Sequence, residues 1–321
     1  MTVRFGILGL GLISSRFAGV LQSMDGVELA AVASRDMPRS AAFAQTYGAR
    51  KAYDNYLDLV TDDAVDAVYI GLLNNRHLEL GRLCLEQHKP VLCEKPLVTT
   101  EKDAVEFVNL ARANQTLLME AMWTRCQPAY LQARQWLQEN KIGRVKCIRA
   151  EFCHEIAYDP GSRFYDPTLG GGSLFDLGVY TIEFTTGILG ENPNRVSGQA
   201  QITPSRVDAA AAFTLGFPGG CLASLTCGFS FTSRDEAVVY GSSGRIELDR
   251  CYAPVNIQRY DAEDNLVETF SGPEGDGFEH QIRHFAELVR QGKLESDLVP
   301  LEDSIACARV FDQLRSQWGL R

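Results

Sequence analysis

The 321-residue sequence predicts an α/β protein with two domains, a doubly wound parallel sheet followed by an α+β domain with a large, open, mostly antiparallel sheet. Two observations support this fold class. Over the first 120 residues, apolar runs of strand length alternate with patterns of helical period. From about residue 195 to 270, the pattern is strand-like and tight-turn residues interrupt it. We expect the domains to cover residues 1–122 and 123–321.

The elements of the first domain follow from these patterns. Each predicted strand is a short apolar run, as expected for a strand that is buried on both faces of a parallel sheet. Helical patterns separate the strands, which makes parallel pairing the expected arrangement. The predicted strands cover residues 3–8, 27–33, 65–72, 90–93 and 116–120, and the helices cover 13–23, 39–47, 76–88 and 100–114.

The second domain has a different pattern of predicted helices and strands. A helix at 128–140 precedes a long strand at 144–155, and a glycine-rich loop, "LGGGSLFDLG", then opens another helix. Turn residues at Gly219-Gly220 and Ser242-Ser243-Gly244 predict an antiparallel sheet. Helices at 278–291 and 301–317 close the chain.

Composition restricts the partners. The formal net charge of −10 disfavours nucleic acid and anionic membrane surfaces, so a small molecule is the expected partner. Nine cysteines occur without C-x-x-C spacing, and several lie in apolar runs, which is typical of reduced thiols in a cytoplasmic protein. The N-terminal run is interrupted by glycines, unlike a signal peptide, and no apolar run approaches the roughly 18 residues of a membrane span.

The first apolar run ends in a glycine turn, Gly9-Leu10-Gly11, and a helical pattern begins with Leu12, Ile13 and Ser14. The first glycine permits a tight turn, and the second lets the backbone approach a pyrophosphate at the helix N-terminus. Ser14 replaces the third glycine and is small enough for the helix to pack on the strand. The motif predicts a Rossmann dinucleotide site that includes Gly9, Gly11, Leu12 and Ile13. The alternative is a tight turn that binds nothing.

The residues after the second strand distinguish NADP from NAD. An acidic residue at this position usually binds the ribose hydroxyls of NAD, whereas arginine binds the additional phosphate of NADP. Ser34 and Arg35 occupy the position and Arg39 follows four residues later, so two guanidinium groups could face one phosphate. Asp36 could instead pair with either arginine in a surface network. We predict NADP as the cofactor and keep NAD as the alternative.

Polar residues follow two of the predicted strands. A polar cluster at 74–77 follows the strand that ends at Leu72, and Glu94-Lys95-Pro96 follows the strand that ends at Cys93. In an open parallel sheet the ligand binds at the carboxyl ends of the strands. The alternative is a strand-to-helix loop with a surface ion pair. We expect the following residues at the cofactor: Leu72, Asn74, His77, Glu94 and Lys95.

Three motifs resemble the glucose–fructose oxidoreductase, inositol dehydrogenase and MocA (GFO/IDH/MocA) family. They are G-x-G-x-I after the first strand, E-K-P, and G-G-G-x-x-x-D-x-G in the second domain, and the resemblance covers nearly the whole chain. The family's usual D-x-G-x-H motif ends in an acid/base histidine, which Tyr180 replaces here. This difference, the segment "MEAMWTR" and the paired arginines resemble the branch of dimeric dihydrodiol dehydrogenases and NADP-dependent D-xylose dehydrogenases.

The resemblance has implications for the site and the assembly. It implies that Lys95 and Asp176 help to form the site beside the nicotinamide, and that Asn74 and His77 border the cofactor. Family members commonly pair through one face of the second domain's sheet. We therefore expect a homodimer that uses this face.

The residues themselves agree with a redox site. Asp176 and Tyr180 are spaced i and i+4, so on a helix their side chains share a face. A phenol, with a pKa of about 10, exchanges a proton at neutral pH only when a neighbouring cation stabilises its anion, and Lys95 is the candidate cation. We predict hydride transfer between the nicotinamide and a carbon bearing hydroxyl or carbonyl, with Tyr180 and Lys95 as the proton relay, their roles being exchangeable.

Other candidates have weaker support. Trp123 and Phe278 could form walls of the substrate pocket, although each could equally be a core residue. No metal site is predicted, because His280 and His284 lack a third ligand and "HEIAY" at 154–158 is not H-E-x-x-H.

The predicted function is NADP-dependent oxidoreduction of a sugar, polyol, diol or related carbonyl compound. The alternatives are the same chemistry with NAD and a nucleotide-binding sensor without turnover. A sensor would need the glycine turn but not Lys95, Asp176 and Tyr180 together.

Overall fold

The computed structural model describes residues 1–273 and 275–320 of the chain. Contacts within the chain divide it into two compact units. The first unit comprises Met1–Val98, Lys102–Ala121 and Asp276–Leu301. The second comprises Thr99–Glu101, Met122–Gly275 and the residues from Glu302 onward. Among the described residues, no helix combines the length and the apolar character that a membrane span needs.

Helices occur in both units. They are α1 (Leu12–Leu21), α2 (Met37–Tyr47), α3 (Tyr56–Val60), α4 (His77–Glu86), α5 (Glu101–Ala113), α6 (Pro128–Gln138), α7 (Val179–Leu189), α8 (Phe278–Arg290) and α9 (Leu301–Gln317). Short 3₁₀ helices cover Asn74–Arg76, Trp123–Cys126 and Pro167–Leu169, and a π turn covers Leu174–Gly178.

The first unit contains the predicted doubly wound parallel sheet. Its strands are β1 (Val3–Leu8), β2 (Val27–Ala33), β3 (Lys51–Tyr53), β4 (Ala67–Ile70), β5 (Val91–Cys93) and β6 (Leu118–Glu120), in the spatial order β3-β2-β1-β4-β5-β6. The order reverses between β1 and β4, which is where open α/β sheets bind their ligands. Strand β3 and helix α3 were not predicted, because β3 is three residues long, has no fully buried residue and therefore leaves no apolar run.

Helix α8 belongs to this first unit although it lies near the end of the sequence. The ring of Phe285 packs 6.0 Å from that of Phe5 in β1. At the end of the helix, Arg290 donates hydrogen bonds to the carbonyl oxygens of Gly26 (2.6 Å) and Met1 (2.9 Å). The chain leaves the parallel sheet near residue 122, and this helix returns to it.

The second unit contains the predicted open and mostly antiparallel sheet. Its strands are β7 (Val145–Cys153), β8 (Arg195–Ile202), β9 (Asp208–Gly216), β10 (Leu222–Gly228), β11 (Ala237–Gly241), β12 (Gly244–Leu248), β13 (Asn256–Asp261) and β14 (Leu266–Ser271). Their spatial order is β14-β13-β12-β11-β7-β10-β9-β8. Only one pair in this described sheet, β7 with β10, is parallel. The pairing is possible because helix α7 and two strands lie between them in sequence.

The two faces of this sheet differ in burial. Along β10, Ala223 and Leu225 are 1% exposed, whereas Leu222 is 53% exposed and Ser224 is also exposed. This alternation is typical of a strand with one face in a core and one face open. The π turn before α7 packs on the buried face, since a Cβ on Gly178 would lie 3.0 Å from the Cys227 sulfur.

Candidate active site

The glycine turn between β1 and α1 has the backbone that a dinucleotide site needs. Gly9 has a φ of +86°, and a Cβ there would overlap the side chain of Leu72. A Cβ on Gly11 would point into open space. Within the described chain no side chain caps α1, and Leu12 at its first position is 93% exposed. The first N–H groups of the helix are therefore available to an anion.

Ser14 takes the third glycine position, and its surroundings explain why this residue is small. It is fully buried in α1. A Cβ on Gly71, which follows β4, would overlap the Ser14 hydroxyl. The helix thus approaches the strand end closely, as the motif predicts, with both contact residues small.

A cleft of about 370 Å³ opens beside the glycine turn. Its walls contain the predicted cofactor residues Gly9, Ser34, Arg35, Arg39 and Leu72. Leu10, Asp36 and Tyr56 also line it. Tyr56 was missed because it begins α3, a five-residue helix with no clear sequence pattern.

The two arginines of this cleft are exposed and do not form the surface network that Asp36 could have created. The Arg39 guanidinium donates to the Leu10 carbonyl oxygen (2.7 Å), next to the glycine turn. The buried Ser34 hydroxyl donates to the Asp36 carbonyl oxygen (2.9 Å). Among the described residues, the Asp36 carboxylate makes no ion pair with Arg35 or Arg39. Both cations are therefore positioned to meet an anion in the cleft.

The E-K-P segment after β5 is held by buried carboxylates. The Tyr69 hydroxyl donates to Glu94 Oε1 (2.6 Å), and the Leu97 N–H donates to Glu120 Oε1 (3.0 Å). Glu94 is 7% exposed, and burial raises its pKa. Glu94 therefore supports the loop from within the first unit, while the neighbouring Lys95 is half-buried. The Lys95–Pro96 peptide bond is cis.

His77 joins the two predicted strand ends. It is fully buried, with Nε2 lying 3.0 Å from the Leu72 carbonyl oxygen. Nδ1 lies 3.1 Å from the carbonyl oxygens of Pro96 and Leu97. A neutral imidazole has one N–H, so one nitrogen donates and the tautomer decides which. Burial lowers the pKa of His77. His77 thus ties Leu72 to the loop that carries Lys95.

In the second unit, Asp176 and Tyr180 stand out from a buried stretch. Within residues 171–188, all of which the structure describes, these are the two residues that are not buried. Asp176 lies in the π turn and Tyr180 in the first turn of α7. The two side chains therefore share the accessible side of this stretch, as their i and i+4 spacing predicts. Asp176 also faces Arg163, whose Nη1 lies 3.6 Å from Asp176 Oδ1.

Aromatic rings surround Tyr180. Its ring packs edge-to-face with Phe152 (5.4 Å) and Tyr252 (6.1 Å), which are stacked on each other at 4.2 Å. The Trp123 ring lies 6.4 Å from Tyr252. We call these four residues, Trp123, Phe152, Tyr180 and Tyr252, the aromatic wall. Sequence reasoning singled out Trp123 but missed Phe152, Tyr252 and also Arg163, because no motif surrounds them.

Phe278 and Asn74 lie in the first unit. Phe278 is 3% exposed at the start of α8, and the Arg16 guanidinium lies 4.2 Å above its ring. Arg16 also pairs with Asp276 (2.9 Å) and so holds the start of α8 on α1. Asn74 is half-buried in a 3₁₀ turn. The predicted roles of both residues in binding stay predictions.

Family models match both parts of the chain. Residues 3–122 match the oxidoreductase family with an NAD-binding Rossmann fold, and residues 130–247 match the GFO/IDH/MocA C-terminal domain. The chain belongs to the GFO/IDH/MocA family. The predicted resemblance is thereby confirmed, and this member of the family is an oxidoreductase with an NAD-binding Rossmann fold.

Relatives of this GFO/IDH/MocA protein match over its full length. Trans-1,2-dihydrobenzene-1,2-diol dehydrogenase from mouse (Mus musculus) is 34% identical over 328 residues, covering 100% of this chain and 98% of the mouse protein. The human (Homo sapiens) enzyme of the same name is 32% identical over 329 residues, with the same coverage. The resemblance to the dihydrodiol dehydrogenase branch is thus confirmed at the level of sequence.

A solved structure of the family also matches. KijD10, a 3-ketoreductase from Actinomadura kijaniata solved with NADP and TDP-benzene, superposes with a TM-score of 0.86. It is 28% identical and the match covers 98% of each chain. KijD10 structures with a tyrosine replaced by phenylalanine, or with a lysine replaced by alanine, match as well.

Proposed function

We propose that this protein is an NADP-dependent oxidoreductase that transfers a hydride between the nicotinamide and a carbon bearing a hydroxyl or carbonyl group. Its substrate would be a diol, a sugar or a polyol. The observation that carries the proposal is the pair Asp176 and Tyr180, the accessible side chains of an otherwise buried stretch. When bound, the dinucleotide supplies or accepts the hydride. The protein's own residues orient the substrate and move the proton.

The aromatic wall supports this substrate class. Its rings offer apolar faces to the C–H surface of a sugar or to the ring of a cyclic diol. Asp176, Arg163 and the Tyr180 hydroxyl add polar groups at the edge of the wall. A substrate with apolar faces and adjacent hydroxyls matches this mixture. The mouse relative is named for a dihydrobenzenediol, and KijD10 is named as a 3-ketoreductase, so both names indicate a substrate with hydroxyl or carbonyl groups.

Tyr180 is the residue that we assign to proton exchange with the substrate oxygen. The Asp176 carboxylate would accept a hydrogen bond from a substrate hydroxyl and so orient the reacting carbon. Lys95 keeps its predicted role as the cation of the relay, because a tyrosinate forms at neutral pH only with such help. The KijD10 variants, which alter one tyrosine and one lysine, are consistent with these two residue types.

The cleft in the first unit supports NADP as the cofactor. Arg35 and Arg39 supply two cations, and Ser34 and Tyr56 supply hydroxyl groups, beside a helix start that suits a pyrophosphate. NAD remains the second candidate because the Asp36 carboxylate lines the same cleft. An acidic group at the ribose favours NAD, since it would repel the 2′-phosphate.

The cofactor proposal can be tested by quenching of tryptophan fluorescence. We expect NADPH to bind more tightly than NADH. Arg35→Ala should weaken NADPH binding about 10-fold or more and leave NADH unchanged, because it removes a charged contact to the phosphate. Asp36→Asn should tighten NADPH binding. Arg50→Ala, which alters an exposed arginine paired with Glu28 in the same unit, is the control. Tighter binding of NADH by the unaltered protein would refute the NADP assignment.

The proton relay can be tested with Tyr180→Phe. We expect kcat to fall by about 10²-fold or more with little change in NADPH affinity, because only the proton-exchanging hydroxyl is removed. Tyr260→Phe, at a half-buried tyrosine that donates to Gln258, is the matched control. Unchanged turnover in Tyr180→Phe would remove this tyrosine from the mechanism.

A substrate panel decides between enzyme and sensor. Aldoses, dihydrodiols, 2-keto aldehydes and inositols would be assayed with NADP(H) at neutral and alkaline pH. Turnover of a diol or sugar is the expected result. Binding of NADPH without turnover of any compound would favour the nucleotide-binding sensor.

We also propose that the protein forms a homodimer through the open face of the second unit's sheet and acts in the cytosol. On this face Leu222 of β10 is 53% exposed. It lies in register with Cys147 of β7, which pairs in turn with Tyr240 of β11. An apolar row of this kind on an open sheet face suits burial against a second copy.

A further inference from the structure

The glycine-rich loop before α7 makes room for a buried carboxylate. Gly172 has a φ of +116°, and a Cβ there would overlap Oδ1 of Asp208. A Cβ on Gly171 would lie 2.8 Å from the backbone oxygens of Phe164 and Asp166. The glycines are therefore needed where the chain passes close to other groups. The proton relay proposed above does not account for them.

Asp208 uses this space to cap the start of the stretch that carries Asp176 and Tyr180. It is the first residue of β9 and is 1% exposed. Its Oδ2 accepts hydrogen bonds from the Leu174 N–H (2.7 Å) and from the Ser173 hydroxyl (2.7 Å). Within the described chain, no side chain at the usual capping position caps the π turn. A residue distant in sequence therefore provides the acceptor that a helix start needs.

We propose that Asp208 is a positioning residue that sets the orientation of Asp176 and Tyr180 through the helix start; the proposal rests on the function assigned above to these two residues. Leu174, whose N–H the carboxylate accepts, precedes Asp176 by two residues. A displacement of this backbone would move both side chains together. Misplacement of a catalytic group by about 1 Å can lower the rate about 10²-fold.

The surroundings of Asp208 raise its pKa toward neutral pH. Burial raises the pKa of Asp208 to about 6, although its two hydrogen bonds oppose this effect. The groups that face it are the Ser173 hydroxyl, the Cys227 thiol of β10 and the Arg315 guanidinium of α9. The Ser173 hydroxyl also lies 3.6 Å from the Cys227 sulfur. Asp208 is therefore ionised at neutral pH and accepts a proton as the pH falls through about 6.

The test compares Asp208→Ala with Asp208→Asn in the full-length protein. The alanine variant loses the acceptor, so we expect kcat to fall about 10-fold or more while NADPH affinity is unchanged. The asparagine variant keeps an acceptor oxygen, so we expect most of kcat to return at pH 7. If kcat of the unaltered enzyme changes near pH 6, this change should be absent in Asp208→Asn. Asp261→Ala, which removes turn hydrogen bonds to Glu263 and Asn265 in the β13–β14 hairpin, is the control.

A second measurement does not need turnover. Hydrogen exchange of the amides in 173–181 should accelerate in Asp208→Ala and not in Asp261→Ala. If Asp208→Ala does not fold, Ser173→Ala removes one of the two hydrogen bonds and should show smaller changes of the same kind. An Asp208→Ala enzyme with normal kcat, or with unaltered exchange in 173–181, would overturn the proposal. Lack of turnover in the unaltered protein would count against the proposed function alone, because the exchange result still tests the cap.

Discussion

Arg35 and Asp36 are adjacent in sequence and line the same cleft with opposite charges. The sequence alone left open whether they would neutralise each other. The described residues contain no ion pair between them, so each charge is available to a ligand. Tyr56 joins them in the cleft from a short helix. At the residue scale, a preference for NADP therefore requires that the attraction of Arg35 and Arg39 for the phosphate exceeds its repulsion by the Asp36 carboxylate.

Asp208 leads to a prediction about stability and pH. Its pKa rises from the ordinary 3.8 to about 6 in the folded protein. A raised folded pKa means that the contribution to stability is complete below about pH 3.8 and is lost as the pH rises through 6. This loss amounts to about 3 kcal/mol. The side chain at this position in Asp208→Asn does not titrate. In urea titrations, the free energy of unfolding of this variant minus that of the unaltered protein should therefore increase from pH 4 to pH 7. A constant difference over this range would contradict the prediction.

At the scale of elements, Arg125 holds together three helices of the second unit. It is fully buried in the 3₁₀ helix that also contains Trp123. Its guanidinium lies 2.7 Å from the Glu183 carboxylate of α7 and 2.6 Å from the Asp303 carboxylate of α9. Helix α7 also carries Tyr180 of the aromatic wall. The Arg125 cluster therefore holds the helix that positions this part of the wall.

Replacement of this buried cation should be costly. Arg125→Met leaves two carboxylates without their cation, so we expect a loss of about 3–5 kcal/mol in the free energy of unfolding. Arg234→Met breaks an exposed pair with Glu236 (3.9 Å) in the same unit and should cost less than about 1 kcal/mol. Urea unfolding followed by fluorescence suits the test because Trp123 and Trp136 lie in the second unit. Equal losses of unfolding free energy in the two variants would contradict the expectation that burial makes the Arg125 cluster more important for stability than an exposed ion pair.

At the scale of the whole molecule, each unit is built from segments that are distant in sequence. Helix α8 returns to the first unit from residue 278, and the end of the chain returns to the second. The family matches cover residues 3–122 and 130–247 and leave these returning segments outside. Each unit is therefore complete only when segments that are distant in sequence come together. A division of the sequence into two consecutive domains does not describe this arrangement.

The proposed dimer gives a prediction at this scale. Sedimentation of the unaltered protein should give twice the monomer mass. Leu222→Asp should raise the dimer Kd by about 10-fold or more, since it places a charge in an apolar interface. Leu294→Asp, at an exposed leucine of the first unit, should leave the dimer unchanged. A monomeric unaltered protein, or equal effects of the two variants, would contradict the proposed interface.

Much of the fold could be predicted because its signals are local. The glycine turn, the buried strands and helices α5 to α9 have apolar patterns that follow directly from burial, and the structure has them within a few residues of the predicted positions. The candidate residues of the glycine turn and of the Asp176–Tyr180 pair were also identifiable, because a motif requires particular residues at a particular spacing. Strand β3, helix α3 and hence Tyr56 were missed because they are short and half-exposed.

The sequence by itself determined the fold class, the family and the residue types at the dinucleotide turn, since each depends on the order of residues along a short segment. Only the tertiary structure decided which distant groups meet. It brought Phe152 and Tyr252 to Tyr180, His77 to the backbone of Pro96, and Asp208 to the start of the π turn. These contacts join residues that are far apart in sequence, and side-chain packing and hydrogen bonding across strands and helices select them.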